Sequence, residues 1–385
     1  MSSKNPLRIL YVVNDCWFFK SHRLPLAQAA VASAYEVHLT ASPDHTTNDI
    51  EAEGVYFHPW KISPRSLNPI VELVSFFSLF ATIRKTKPDL LHLVTIKSVL
   101  YGGIIAKWLS VSSVVFAISG RGYIFSSKDR EQSILKKLAS SIYDYVLSHK
   151  NSVIVVQNKN DYDFFIENKL AKEDSTILIP GSGVDLNLFR DNNSRTNTKS
   201  PVILFASRML WDKGVREFVD ASKIINKDRI VAEFKLAGPV DTANPRAVSR
   251  QWLENLPTEM GIEWIGPQEV MQELISSSAF VVLPTTYGEG VPKILLEAAA
   301  SARAIITTNW PGCRDVVTHD YNGLLVEPND TSALVQSIKF MLENPDRCKQ
   351  FGLNGRKIAE KRFSIQQVVE TTMNLYRELH GNTSS

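Results

Sequence analysis

The stretch AFVVLPTTYGEGVPKILLEAAA, residues 279–300, holds a whole βα unit in one line. Ala279–Leu283 is an apolar run of strand length that stops at Pro284, and a small-residue helix opens after Pro292. Between them, glycines stand on both sides of Glu289. A buried strand, a glycine-containing loop and a helix N-terminus together form an anion site, because backbone N–H groups at the helix start and the helix dipole both favour negative charge. A phosphate group fits there.

Working outward, the same alternation of apolar β-branched runs and helix-length segments recurs along the chain. A first series comprises Ile9–Val13, Val37–Thr40, Leu90–Val94, Val114–Ile118 and Ser152–Val156. A second comprises Val202–Ala206, Ala232–Ala237, Ile262–Ile265, Ala279–Leu283, Ala304–Thr307 and Gly323–Val326. This is the rhythm of βαβ units and parallel sheets, so the fold class is α/β, present twice. The length of 385 residues agrees, being too great for one ordinary core. The polar run Arg190–Ser200 contains no apolar residue and reads as an exposed linker. The expected domains are therefore residues 1–190 and 201–362. Residues 363–385 form a C-terminal helix and tail that closes the second domain or packs back on the first. Open α/β sheets bind ligands at the carboxyl ends of their strands, so two facing domains predict an interdomain active site.

Composition narrows the class. Hydrophobic residues make up 44% and charged residues 22%, which suits a globular protein and excludes both a disordered and a polytopic membrane chain. Cys16, Cys313 and Cys348 lie far apart with no metal-ligand spacing, so ordinary reduced thiols are expected, with neither a disulfide framework nor structural zinc. The apolar segment Leu7–Val13 is too short for a signal sequence, and a cytoplasmic location is expected. A net charge of +3 disfavours nucleic-acid binding. The excess of lysine and arginine lies in the first half, which fits an anionic membrane surface or a pyrophosphate as partner.

The segment 67–83 is strongly apolar and is followed by Arg84-Lys85-Thr86-Lys87. It is too short, and too interrupted by Asn68, Pro69 and Glu72, to span a bilayer. It reads either as a buried helix of the α/β domain or as an apolar helix that dips into a bilayer with its basic end at the headgroups.

A second constellation, Ser207-Arg208-Met209-Leu210-Trp211-Asp212-Lys213-Gly214, follows the first strand of the second series. It can place two cations on one ligand at a sheet's carboxyl edge, Arg208 as a planar fork for phosphate oxygens and Lys213 as a point charge. No Asp-x-Asp stands near them, so the cations are expected to neutralise a leaving diphosphate without a metal. Glu289 precedes the helix and Glu297 lies well inside it, which suits two separate hydroxyl-bearing parts of an extended ligand. The plain alternative makes Glu289 a capping carboxylate, Glu297 a solvated helix residue, and Arg208 and Lys213 solvated loop cations.

Ser207-Arg208 with Lys213-Gly214, taken with Glu289-Gly290, Pro292 and Leu296-Glu297-Ala298, resembles glycosyltransferase family 4, whose fold is two facing Rossmann-like domains (GT-B). Supporting likenesses are Gly181-Ser-Gly-Val-Asp185 with Phe189, Gly238 after a strand, Pro311-Gly-Cys-Arg-Asp315 and Asn322-Gly-Leu-Leu-Val326. The resemblance implies that Arg208 and Lys213 bind the donor diphosphate, together with Gly238 and the helix start at Gly290, Val291 and Pro292. It further implies that Glu289 contacts the donor sugar and Glu297 the ribose, and that transfer from a UDP-sugar proceeds with retention. Phe18, His22-Arg23-Leu24-Pro25, His92, Lys97 and Gly102-Gly103 are similar to enzymes of bacterial capsule, O-antigen and N-glycan assembly, N-acetylgalactosaminyltransferases among them. Those enzymes extend undecaprenyl-pyrophosphate-linked sugars, which implies a polyprenyl-pyrophosphate-linked acceptor and a peripheral place on the inner face of the cytoplasmic membrane.

Two features depart from the family pattern. The first βα loop reads Asn14-Asp15-Cys16-Trp17, where many members have a glycine pair. Ser119-Gly120-Arg121-Gly122 stands where many have a histidine, so no His-assisted catalysis is expected there. The glycine-rich turn instead suits close backbone approach to donor sugar or acceptor. Acceptor contacts are expected from His22, Arg23, Lys97, Ser119 and Gly120, with Trp17, Phe18 and Phe19 lining a groove or packing in the core. His58, His92 and His319 are expected to satisfy local hydrogen bonds. Two other functions share these residues: a non-hydrolysing UDP-sugar epimerase, and a nucleotide-sugar-binding partner of an assembly complex.

Overall fold

The computed structural model describes residues 6–63, 66, 68–120, 141–191, 200–227, 231–242 and 244–381. The chain divides into two compact units, one of Met1–Ser182 with Gln366–Ser385 and one of Gly183–Ile365. The polar segment expected as a linker falls within the second unit, and its residues 192–199 lie outside the described ones.

The first unit is built on a seven-stranded parallel sheet in the order β3-β2-β1-β4-β5-β6-β7. Its strands are β1 (Arg8–Asp15), β2 (Glu36–Ser42), β3 (Tyr56–Pro59), β4 (Leu90–Val94), β5 (Ser113–Ile118), β6 (Ser152–Val156) and β7 (Thr176–Leu178). Its helices are α1 (Cys16–His22), α2 (Leu24–Ala32), α3 (Thr47–Ala52), α4 (Pro69–Thr86), α5 (Ile96–Trp108) and α6 (Lys159–Glu167). Every residue of β4 and β5 is buried, as expected for central parallel strands covered on both faces. Alternate β1 residues enter opposite layers, Tyr11 and Val13 on one side and Leu10 and Val12 on the other. The strands β3 and β7 were not foreseen. Both are short edge strands, and the residues Tyr-Phe-His-Pro of β3 lack the apolar run of a central strand.

The second unit carries a six-stranded parallel sheet in the order β10-β9-β8-β11-β12-β13. Its strands are β8 (Val202–Ala206), β9 (Glu233–Ala237), β10 (Ile262–Gly266), β11 (Phe280–Leu283), β12 (Ala304–Thr308) and β13 (Gly323–Val326), all within a residue or two of the sequence expectation. Around it lie α7 (Val215–Lys227), α8 (Arg250–Glu254), α9 (Met271–Ser277), α10 (Lys293–Ala300), α11 (Cys313–Val316), α12 (Thr331–Glu343) and α13 (Pro345–Arg362). A last helix, α14 (Ile365–Gly381), packs on the first unit: Tyr376 and Leu379 enter its core, and Asn151 donates to the Leu379 carbonyl at 2.9 Å.

In each sheet the first strand lies beside a strand that starts the second half of the unit, β1 beside β4 and β8 beside β11. Chain direction across the sheet reverses at those pairs, and the splayed loops there open the crevice in which α/β sheets receive ligands.

Candidate functional site

In the second unit, the loops leaving β8 and β11 are tied together above the β8/β11 pair. The Thr286 N–H donates to the Asp212 carbonyl at 2.8 Å. Gly214 adopts φ +87°, and a Cβ there would stand 2.3 Å from the Pro284 carbonyl oxygen, so only glycine lets the two loops meet. Gly238 (φ +138°) serves the same end next door, since a Cβ would lie 1.8 Å from the Ser207 carbonyl oxygen. Its own carbonyl accepts the Trp264 indole N–H at 3.0 Å.

This zipped pair of loops gathers the expected charges around one ring. The buried Lys213 ammonium is ion-paired with the Glu289 carboxylate and lies 4.7 Å from the centre of the Tyr287 ring. The Arg208 guanidinium pairs with Asp241 at 2.8 Å and lies 5.5 Å from the same ring. Burial works to lower the guanidinium pKa, but Tyr287, Asp241 and Glu289 outweigh it and hold the group above its ordinary value, firmly cationic. Both cations thus already carry an anionic partner.

The helix α10 begins immediately beyond, with Pro292, whose side chain makes no capping hydrogen bond, at its N-cap. Glu297 is buried rather than solvated. Burial raises its carboxyl pKa, and Lys293 at 3.5 Å offsets this in part. Asp241 and Tyr287 were not foreseen. The position of Tyr287 directly before Gly288-Glu289-Gly290 was a signal, whereas an aspartate three residues past Gly238 looks like any solvated loop carboxylate until Arg208 is seen against it.

The expected acceptor residues of the first unit are not gathered in this way. His22 ends α1, its ring stacked on Phe18 with centroids 4.2 Å apart and its Nδ1 3.2 Å from the Phe18 carbonyl oxygen. Arg23 is turned into the core, 7% exposed, and donates to the His22 carbonyl at 3.1 Å; burial pulls its pKa down. Lys97 is engaged within the unit: its ammonium donates to the carbonyls of Ser63 and Ser66, each at 2.9 Å, and to Glu72 at 2.8 Å. An ammonium has three donors, and all three are used in holding Ser63 and Ser66 to α4 and α5. Ser119 and the buried Gly120 follow β5 at its carboxyl end, while Arg121 and Gly122 lie outside the described residues. Of the three aromatics after β1, Phe19 is core, Phe18 is the stacking partner of His22, and Trp17 is exposed with its N–H donating to Asp44 at 2.7 Å. His58 and His92 meet other side chains rather than an open site: His58 Nε2 lies 3.0 Å from His38 Nδ1, and His92 Nδ1 lies 2.5 Å from the Tyr376 hydroxyl. His319 accepts the Leu325 N–H at 3.0 Å.

Cys16, Cys313 and Cys348 are buried free thiols. Among the described residues, no three His, Cys, Asp or Glu side chains are gathered to hold a metal ion, and no helix is long and apolar enough to cross a membrane.

Comparison with known proteins follows the same division. Residues 189–358 match the family model "Glycosyl transferases group 1", and residues 8–158 match "Glycosyl transferase 4-like". The chain is 26% identical over 333 residues to the N,N'-diacetylbacillosaminyl-diphospho-undecaprenol alpha-1,3-N-acetylgalactosaminyltransferase of Campylobacter jejuni, with 84% of this chain and 86% of that one covered. It is 22% identical over 335 residues to the UDP-Gal:alpha-D-GlcNAc-diphosphoundecaprenol alpha-1,3-galactosyltransferase of Escherichia coli, covering 83% and 82%. Among solved structures, Anabaena HepE in complex with UDP and glucose superposes with a TM-score of 0.77 at 16% identity, over 96% of this chain and 99% of that one, which establishes the shared two-sheet GT-B fold. With one matching model on each half and the two parallel sheets of the GT-B fold, the chain belongs to the glycosyltransferases of the group 1 and family 4-like kind.

Proposed function

We propose that this glycosyltransferase transfers a hexose or N-acetylhexosamine from a UDP-sugar to an undecaprenyl-pyrophosphate-linked saccharide. The transfer retains anomeric configuration, needs no metal, serves assembly of a bacterial surface polysaccharide or glycan, and takes place at the inner face of the cytoplasmic membrane. The observation that carries the reading is the convergence of Arg208 and Lys213 on Tyr287 beside Glu289, in the loops of the β8/β11 pair. The named acceptors of the Campylobacter and Escherichia relatives support the choice of acceptor.

In this scheme the donor diphosphate takes over Arg208 from Asp241 and Lys213 from Glu289. The released Glu289 carboxylate accepts hydroxyls of the donor sugar, and ionised Glu297 accepts those of the ribose. The bond from the anomeric carbon to the diphosphate oxygen breaks as the acceptor oxygen bonds to that carbon on the same face. The acceptor proton passes to the departing phosphate, and the two cations with the start of α10 stabilise the charge that develops there. No glycosyl-enzyme intermediate forms. On the acceptor side His22, Ser119 and Gly120 make contact, while Arg23 and Lys97 hold the segments around them.

The test incubates the protein with a panel of UDP-sugars and short polyprenyl-pyrophosphate-linked saccharides, in the presence of a chelator, following released UDP and the lengthened lipid by mass spectrometry. One UDP-sugar is expected to yield both products. Transfer to a free sugar or a protein but to none of the lipids would overturn the acceptor. Interconversion of UDP-sugars without any acceptor would favour the epimerase, and donor binding without turnover would favour the assembly partner.

A further inference from the structure

The outer face of α4 is apolar where an exposed helix face is ordinarily polar. Ile70, Leu73, Val74 and Phe77 are 72, 57, 49 and 60% exposed, and their i, i+3, i+4, i+7 spacing sets them in one stripe. The stripe continues onto the end of α5, where Trp108 is 59% exposed and meets Phe76 edge-on at 5.6 Å. The helix itself is well made: the Asn68 side chain accepts the Ile70 N–H at 3.0 Å, Pro69 occupies the first turn, and Ser75, Leu79 and Ile83 are buried on the opposite side. So the exposed stripe is a property of an ordered helix, and large contiguous apolar patches of this kind mark interaction sites.

Charge identifies the partner. The last turn of α4 carries exposed Arg84 and Lys85 in line with the stripe, and Lys87 follows; among the described residues none of the three forms an ion pair. The one acid of the helix, Glu72, is removed from the face, held by Lys97 at 2.8 Å and by the Tyr101 hydroxyl. An apolar stripe bordered by uncompensated cations and cleared of carboxylates has the make-up of an interfacial helix on anionic lipid. A protein partner would be served by the apolar side chains alone and would leave the three cations unexplained.

We infer that the outer face of α4, with Trp108, docks on an anionic bilayer. The apolar side chains enter the boundary of headgroups and acyl chains, and Arg84, Lys85 and Lys87 meet lipid phosphates. This deepens the reading of a membrane-borne acceptor and rests on it. Through Glu72 and Lys97, the first turns of α4 are fastened to the start of α5 at the carboxyl end of β4. The docked face therefore lies beside the sheet edge to which a lipid-linked saccharide must be brought.

The experiment is co-sedimentation of the full chain with phosphatidylcholine vesicles, with and without phosphatidylglycerol. The protein is expected to partition onto the anionic vesicles, less onto the neutral ones, and less again as salt is added. The double variant Leu73→Ser with Phe77→Ser is expected to lose binding by more than about tenfold. Arg84→Gln and Lys85→Gln are each expected to lose about fivefold on anionic vesicles and little on neutral ones. All four side chains are exposed, so thermal melts by circular dichroism should match wild type and show that the variants fold. A wild-type protein that stays in the supernatant, or a serine variant that partitions like wild type, would overturn the inference. So would a solution dimer in sedimentation velocity that the serine variant abolishes, because the face would then belong to a second copy. Binding is read without donor or acceptor, so failure of transfer bears on the proposed reaction and leaves this surface standing.

Discussion

Replacing Lys213 with methionine tests the donor grip most directly. The variant keeps the length and burial of the side chain, which is 6% exposed, and removes only the charge that faces Glu289 and the Tyr287 ring. In the resting protein that charge neutralises one carboxylate; in the proposed mechanism it is reassigned to the departing diphosphate. Loss of a preorganised charge at a developing anion costs roughly 3–4 kcal/mol in the transition state, a fall in kcat of about two to three orders of magnitude. A rival explanation is that Lys213 merely compensates Glu289. The single variant would then fail because a carboxylate is left unpaired, and Glu289→Gln should rescue it. The double variant separates the two accounts, since contacting residues are expected to couple. With the leaving-group role, Lys213→Met with Glu289→Gln stays as slow as the single variant. The Glu289 side chain is 26% exposed and can turn to water, so the single variant should lose little stability. The assay is UDP release at saturating donor and acceptor, with UDP affinity measured in parallel by calorimetry. Wild-type kcat in Lys213→Met, or recovery in the double variant, would refute the reasoning.

Gly214→Ala should destabilise the protein by more than about 1 kcal/mol in urea and weaken UDP binding, because alanine resists the positive φ and its Cβ collides with the Pro284 carbonyl. For Glu297, burial raises the native carboxyl pKa above 4.5, so the folded chain holds a proton the unfolded chain has released. Stability should therefore fall as pH rises from about 4.5 through the native value, Glu297→Gln should flatten that slope in urea titrations, and wild-type UDP affinity should rise across the same window as the acceptor carboxylate forms. Lys97→Met takes the ammonium from the Ser66 carbonyl and leaves Glu72 with the Tyr101 hydroxyl and the Ser63 carbonyl with the Ser66 N–H; it should cost about 1–3 kcal/mol of stability in urea while leaving UDP affinity at the wild-type value by calorimetry.

The strands that carry the candidate site were legible because each is buried on both faces and so reads as an unbroken apolar run, Val202–Ala206 and Phe280–Leu283 above all. The edge strands β3 and β7 escaped because an edge needs neither length nor a second apolar face. Arg208, Lys213 and Glu289 were legible for a related reason: each sits on the loop that directly follows its strand, so sequence spacing and spatial placement coincide. Asp241 and Tyr287 complete that set only through contacts between loops. Nothing in the line of residues distinguishes Asp241 from an ordinary surface carboxylate.

The acceptor side followed the opposite logic. A His-Arg pair after the first strand reads as a surface pair because arginine is seldom fully buried. Here α14 returns from the far end of the chain and encloses the arginine. Tyr376 donates to the Tyr11 hydroxyl at 3.1 Å and lies 2.5 Å from His92 Nδ1, and Arg23 is enclosed beside them. Lys97 is likewise taken up by Glu72 and by carbonyls thirty residues or so earlier in the chain. A charged side chain therefore stays legible when its partners lie in its own loop and ceases to be so when they arrive from a remote element. In the proposed mechanism, contact with the saccharide is left to His22, Ser119 and Gly120, beside the exposed Trp17. Arg23 and Lys97 then serve it through the backbone they hold.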